Sequence, residues 1–228
     1  MFGTFFNFFS APRPDVVTEA PTHEQIERAE HLLEAQIKAA ALFEDIENQL
    51  VRFGISEKTL NKEIYDLGAL HGRTPPPPDR IIQPDDILVV DLGPIFEAWE
   101  ADFGRTFVLG EDHHKLKLRD SLKPIWKIVR GKYLASPGIT GEELYEIACA
   151  EAQRFGFDFG AEIAGHLVGC FPHERIPHDR LSLYIKKGNK EKINSIGRDG
   201  LKRHWILEIH LRDPVYQFGG FYEQLMTV

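Results

Sequence analysis

The chain has 228 residues, 43% of them hydrophobic and 27% charged, with a formal net charge of 27 − 35 = −8. That balance excludes a disordered tail and a low-complexity fibre, and the acidic sum argues against a general nucleic-acid binder. Only Cys149 and Cys170 are available, so no disulfide framework is expected, and a reducing, cytoplasmic setting is the simpler reading.

The first nine positions crowd together Phe2, Phe5, Phe6, Phe8 and Phe9. There is no basic stretch and no small-residue cleavage site, so residues 1–20 are expected to form a Phe-rich arm packed on its own domain or on a partner subunit, not a signal peptide. No apolar run approaches the roughly 18 residues of a membrane span, and no membrane partner is expected. A helix is predicted over 22–51: Thr22 with Gln25 fits a capping box. Its expected apolar stripe is Ile26, Leu32, Leu33, Ile37, Ala40, Leu42, Phe43, Ile46 and Leu50, and Gly54 is expected to end it. Ser56 starts a second helix, to about residue 70. Pro75, Pro76, Pro77 and Pro78 then impose a stiff extended stretch.

Residues 87–93 read as a strand whose continuous apolar start (Ile87, Leu88, Val89, Val90) predicts burial on both faces. Another strand is predicted over 101–109, a long helix over 112–135 with Pro124 inside it, and a helix capped by Thr140 that ends near Gly156. The last third is strand-like at 161–169, 205–211 and 218–228. Residues 177–203 are expected to be a loop. From Arg175 to Arg203 there are nine Lys and Arg against three acids, which suits a solvated surface insertion or a basic lip over an entrance. With no internal repeat and no second composition block, residues 21–228 are expected to be one α+β domain.

The chemistry concentrates in acidic residues inside apolar strands. Asp91 and Asp102 are eleven apart, and a hairpin centred between Phe96 and Glu97 would set them directly opposite each other. Glu208 and Glu223 are fifteen apart, centred between Val215 and Tyr216, with the turn signal Asp213-Pro214 close by. Opposed side chains lie about 5 Å apart, so like charges there need neutralising. Arg105 would neutralise one of the first pair; a metal would neutralise both. Four carboxylates carry −4 and two divalent cations carry +4, which favours a two-metal site. His166, on a strand-like run, is the best candidate for the borderline ligand that selects a transition metal. His173, seven residues on, joins it only if the chain turns after Gly169.

With VVDLGPIFEAWEADFGRTFVLG, GHLVGCFPHERIP, ILEIHL and FYEQLMTV in view, the chain resembles the pita-bread (M24) metallopeptidase family of methionine aminopeptidase, aminopeptidase P and prolidase. The resemblance runs from about residue 25 to the C-terminus. The family's five metal ligands, in order Asp, Asp, His, Glu, Glu, fall on Asp91, Asp102, His166, Glu208 and Glu223. DFGRTF and HERIP are closer to aminopeptidase P and prolidase. The resemblance implies an antiparallel sheet with flanking helices, and two divalent ions, Mn or Fe before Co or Zn. It also implies a peptide or small amide substrate and a homodimer. Glu208 would be both ligand and general base, and His71 and His173 would hold the substrate. Arg105 and Thr106 would orient the carboxylates from behind. Two departures stand out. Leu167 replaces the glycine usual after the ligand histidine, and Ile209-His210 follow the first Glu where proline is usual. About 70 residues precede the motif region, so the separate N-terminal domain of prolidases is not expected beside the helices already assigned. The expected activity is therefore metal-dependent C–N hydrolysis at a peptide N-terminus. A non-peptide amide or guanidino hydrolase and an inactive pita-bread binding module are the alternatives.

Overall fold

Threonine caps start two of the helices. Thr22 accepts from the backbone N–H of Gln25 while the Gln25 side chain accepts from that of Thr22, opening helix α1 (His23–Gln49). Thr140 and Glu143 repeat this at α4 (Gly141–Arg154). Each box satisfies amide donors that a bare first turn leaves without a partner. Asp112 caps α3 (His113–Ala135) through the amides of His114 and Lys115, and α3 runs through Pro124. The second helix is α2 (Glu57–Gly68). The computed structural model describes residues 20–68, 79–169, 181–197 and 200–228. The Phe-rich arm, the proline run, His71, Cys170 and His173 lie outside the described residues.

Strands β1 (Ile87–Leu92), β4 (Phe103–Val108), β6 (Ile163–Val168), β7 (Tyr184–Lys186), β8 (His204–Arg212) and β9 (Gly219–Leu225) form one sheet in the order β1-β4-β9-β8-β6-β7, and β5 (Asp158–Phe159) pairs with β8. All these pairings are antiparallel. β2 (Ile95–Phe96) and β3 (Trp99–Glu100) make a small hairpin between β1 and β4. This is the expected α+β arrangement, an antiparallel sheet with flanking helices. Among the described residues no helix is long and apolar enough to cross a membrane.

Two helix pairs cover the sheet. α3 and α4 bury Leu118, Leu122, Trp126, Leu144 and Ala148 against Trp205, Leu207 and Tyr222. The two tryptophans there are not left polar in an apolar core: Trp126 Nε1 donates to the Leu207 carbonyl and Trp205 Nε1 to that of Ile193, both at 2.9 Å. α1 and α2 bury Ala35, Ala39, Phe43, Ile46, Leu60 and Ile64 against Leu88, Val90 and Phe103. Each large side chain removed from water here contributes roughly 1.5–3 kcal/mol.

Four expectations change. The stripe of α1 that meets the sheet is Leu32, Ala35, Ala39, Phe43 and Ile46; Ile26, Leu33 and Ile37 face away, 45%, 41% and 61% exposed. The helix stops at Leu50, and Gly54 (φ 85°) belongs to the turn beyond. β1 is not buried on both faces, since Val89 is half exposed: β1 is the edge strand and helices cover only its Leu88–Val90 side. Finally, 177–203 is not all loop. β7 pairs with β6, and Ile185 and Ile193 are fully buried. The segment closes onto the start of α4, where Gly188 N–H and Lys190 both bond Glu142.

Gly165 marks the tightest point of the sheet. Its φ is 144°, and a β-carbon there would overlap the Ile206 carbonyl oxygen and come within 2.9 Å of Ile185 Cδ1. Gly165→Ala is expected to destabilise the protein by roughly 3 kcal/mol or more, because backbone cannot yield as a side chain can. Chemical denaturation checks it; an unchanged midpoint would contradict the packing described.

Candidate metal centre

Strand parity assembles the site. Asp91 pairs with Gly104, Gly104 with Glu223, and Glu223 with Glu208. Cross-strand partners share a face, so this row lines up Asp91, Glu223 and Glu208. His166 pairs with Ile206, whose other partner is Leu225, each two residues from the first row and so on the same face. Leu32 of α1 packs on Ile206, Leu225 and Val168 beside it.

The Glu208–Glu223 pairing is the one expected from the turn at Asp213, whose carboxylate accepts from the amides of Val215 and Tyr216. The Asp91–Asp102 pairing is different. The two are not directly opposite but diagonal, because Asp91 faces Gly104. The turn sits at Glu97-Ala98, both with positive φ (52° and 72°), one residue later than expected. This is the geometry of a two-residue hairpin turn, usually marked by Asn-Gly, which Glu-Ala does not signal. α1 holds it in place: Lys38 pairs with Glu97 at 3.3 Å, and His31 stacks on Trp99 at 5.3 Å.

Three of the expected carboxylate ligands converge on one atom of a fourth expected ligand, His166. His166 Nε2 lies 3.1 Å from Asp102 Oδ2 and 3.6 Å from both Glu208 Oε1 and Glu223 Oε1. Donor atoms of Asp102, His166 and Glu223 all fall within 4.8 Å of one another, a spacing one ion would span. His166 Nδ1 bonds the Leu167 carbonyl at 2.8 Å. In the neutral ring that bond fixes the proton on Nδ1 and leaves the Nε2 lone pair facing the carboxylates, as a metal-binding imidazole requires. Glu208 and Glu223 are 5% and 2% exposed. The partners that the described residues offer these carboxylates are imidazoles, His166 and His210. Four clustered carboxylates, two of them buried, with this donor set fit divalent cations.

The protonation pattern carries the same strain. Glu223 is pushed up to about 9, by burial first and by the charges of Asp102, Glu208 and Asp91, against the hydrogen bond from His166. Asp91 is pushed up to about 6, again by burial first, then by Asp102 and Glu208. Although Asp91 is the most exposed of the five by surface area, protein atoms crowd its carboxyl, and that crowding governs it. His166 rises well above 6.5: burial opposes this, but bonds to Asp102 and Glu223 and the charges of Asp102 and Glu208 prevail. Without cations, the cluster holds protons.

Arg105 and Thr106 do not do what was expected of them. Arg105 donates to the backbone carbonyls of Gly104 and Glu223 and to Gln224 Oε1, each at 2.7 Å, sandwiched between the Phe103 and Tyr222 rings. One residue past Gly104, it points to the opposite face. Thr106 Oγ1 donates to the Phe221 carbonyl and accepts from its amide. Both tie β4 to β9; neither touches a site carboxylate. Of the two departures, Leu167 packs into the α3/α4 core, away from the site. His210 faces it, with Nε2 2.8 Å from Glu208 Oε2. The sequence singled out neither Phe159 nor Phe221, whose rings flank His210, nor Gly104. For Gly104 a signal existed: a glycine inside an apolar strand marks close approach, and a β-carbon there would overlap the Phe221 ring.

The profile of metallopeptidase family M24 matches residues 66–195. The Xaa-Pro dipeptidase of Pyrococcus furiosus is 32% identical over 119 residues, 50% of this chain and 32% of the relative. That of Pyrococcus horikoshii is 32% identical over 102 residues, 42% of this chain and 27% of the relative. The matched stretch thus spans about a third of these curated relatives. Among solved structures, prolidase from Pyrococcus furiosus superposes with a TM-score of 0.65 at 19% identity, covering 90% of this chain and 61% of that one. Methionine aminopeptidase from Thermotoga maritima gives 0.63 at 18%, covering 90% and 92%. These structural likenesses concern the fold.

Proposed function

The chain belongs to metallopeptidase family M24, and from that premise we propose that it is a dinuclear metal-dependent hydrolase that cleaves a C–N amide bond at a peptide N-terminus, with Xaa-Pro peptides as the leading substrate class. The observation that carries this reading is the convergence of Asp102, Glu208 and Glu223 on His166 Nε2, with Asp91 in the same cross-strand row. Asp91, Asp102, His166, Glu208 and Glu223 would hold two divalent ions. Mn²⁺ or Fe²⁺ suits an oxygen-dominated shell, with Co²⁺ or Zn²⁺ next. When bound, such ions supply Lewis acidity, polarising a carbonyl and making a water acidic enough to attack near neutral pH. Glu208 would be placed to accept that water's proton as general base. Asp102 and Glu223 would hold the cations by charge, and His166 would serve as a neutral imidazole donor. The resemblance assigns substrate binding to His71 and His173, both outside the described residues. A homodimer and a cytoplasmic setting accompany this reading.

A second reading, a hydrolase of small non-peptide amides or guanidino compounds, is favoured by one feature: the His210 imidazole wedged between Glu208 and the rings of Phe159 and Phe221 narrows the site. A screen of metal-reconstituted protein against Xaa-Pro dipeptides, longer peptides, and small amides and guanidino compounds separates the two. We expect turnover of Xaa-Pro peptides at least tenfold above the other classes. Turnover only of the small compounds would replace the first reading with the second, and no turnover with metal bound would leave a binding module.

A further inference from the structure

His210 sits two residues after Glu208 on β8, and its cross-strand partner is Phe221. Its side chain is 26% exposed. The Phe221 ring lies 4.6 Å from the imidazole centroid, tilted 40°, and the Phe159 ring meets it edge-on at 6.0 Å. Gly104 makes room for the Phe221 ring, since any β-carbon there would overlap it. A glycine on β4 thus seats a phenylalanine on β9, which braces a histidine on β8, whose Nε2 is aimed at the Glu208 carboxylate 2.8 Å away.

We propose that His210 is a sixth protein ligand of the metal centre, its Nε2 joining the ion held by Glu208. The inference rests on the metallopeptidase reading and deepens it. The 2.8 Å separation of His210 Nε2 and Glu208 Oε2 suits two adjacent donors on one ion. Ligands at roughly 2.0–2.2 Å and right angles lie about 3 Å apart. His166 Nε2 and Asp102 Oδ2, both expected ligands, stand 3.1 Å apart. The imidazole needs no large movement to bind, and its flanking rings keep it from turning away. The consequence is chemical. A shell with two imidazoles is more nitrogen-rich than the five-ligand set, and imidazole favours Co²⁺ and Zn²⁺ over Mn²⁺.

The test counts nitrogens rather than turnover. Wild-type protein, His210→Gln and His166→Gln are each loaded with one equivalent of Mn²⁺, and the coordinated imidazole nitrogens are read by pulsed electron paramagnetic resonance. Wild type is expected to show two, and each variant one. Metal titrations of wild type and His210→Gln are expected to show Zn²⁺ losing at least tenfold more affinity than Mn²⁺. A single nitrogen in wild type that persists in His210→Gln and vanishes in His166→Gln would overturn the proposal, leaving His210 as a hydrogen-bonding brace while the metal site stands. Mn²⁺ that shows no coordinated nitrogen in any of the three and washes out on dialysis would overturn the metallopeptidase reading itself, and the sixth ligand with it.

Discussion

Asp102→Asn is expected to strip the protein of metal and to lower kcat/KM on any hydrolysed substrate by roughly 10³-fold or more, the scale of losing several kcal/mol of charge stabilisation. Asp102 Oδ2 stands 3.1 Å from His166 Nε2, and it belongs to the triad of donors that one ion can span. Asparagine keeps the shape and loses the charge, so the four-carboxylate cluster falls to three. Elemental mass spectrometry after dialysis gives the metal content, with wild type expected near two ions per chain. Circular dichroism should be unchanged, because the Asp102 side chain is part of no core cluster. Wild-type metal content in the variant would mean that the cations, if any, bind elsewhere.

The second large effect is in pH. Metal-free protein is expected to lose stability as pH rises from about 6.5 to 9, and divalent metal to restore it, so that the metal-induced rise in Tm widens over that range. The sign follows from the site. Glu223 is raised to about 9 and His166 well above 6.5, so the folded, metal-free state binds protons that the unfolded chain has released. A group raised in this way contributes stability that is full below its unfolded pKa and lost as pH climbs through the folded value. The slope is about 1.4 kcal/mol per pH unit for each proton so held. Groups that act in the other direction are already saturated above pH 6.5. Asp86, held low by Arg80, and His204, lowered to about 4 by burial, spend their effect in acid. Cations replace the protons, so loaded protein should melt nearly independently of pH in the same window. Scanning fluorimetry with chelator or with Mn²⁺ at half-unit pH steps measures both curves. A metal-free melting temperature that stays level or rises from 6.5 to 9 would refute the protonated cluster.

How well each part of the site could be read depended on how local its cause was. The Glu208–Glu223 pairing followed from counting, because Asp213-Pro214 announces its turn and Asp213 caps it through two amides. The same counting misplaced Asp91 against Asp102. Their turn uses Glu97 and Ala98 in a left-handed conformation that neither residue prefers, and contacts from α1 through Lys38 and His31 hold it there. The shift of one residue in the turn moved the pairing by two, which preserved the face and so preserved the site. Arg105 misled for the complementary reason. It is adjacent to the site in sequence, but one residue of strand parity sends it to the far face, between Phe103 and Tyr222.

Helix caps and the same-side relation of Glu208 and His210 could be read from the chain, since each depends on residues a few positions apart and on the period of a helix or strand. Other properties arise only when strands distant in sequence close together. They include the convergence of three carboxylates on His166 Nε2, the raised pKa of Glu223, and the side of α1 that meets the sheet. They also include the bracing of His210 by Phe221 over Gly104. Distance, desolvation and steric exclusion between such strands are set by their packing, and no local pattern in the chain encodes them.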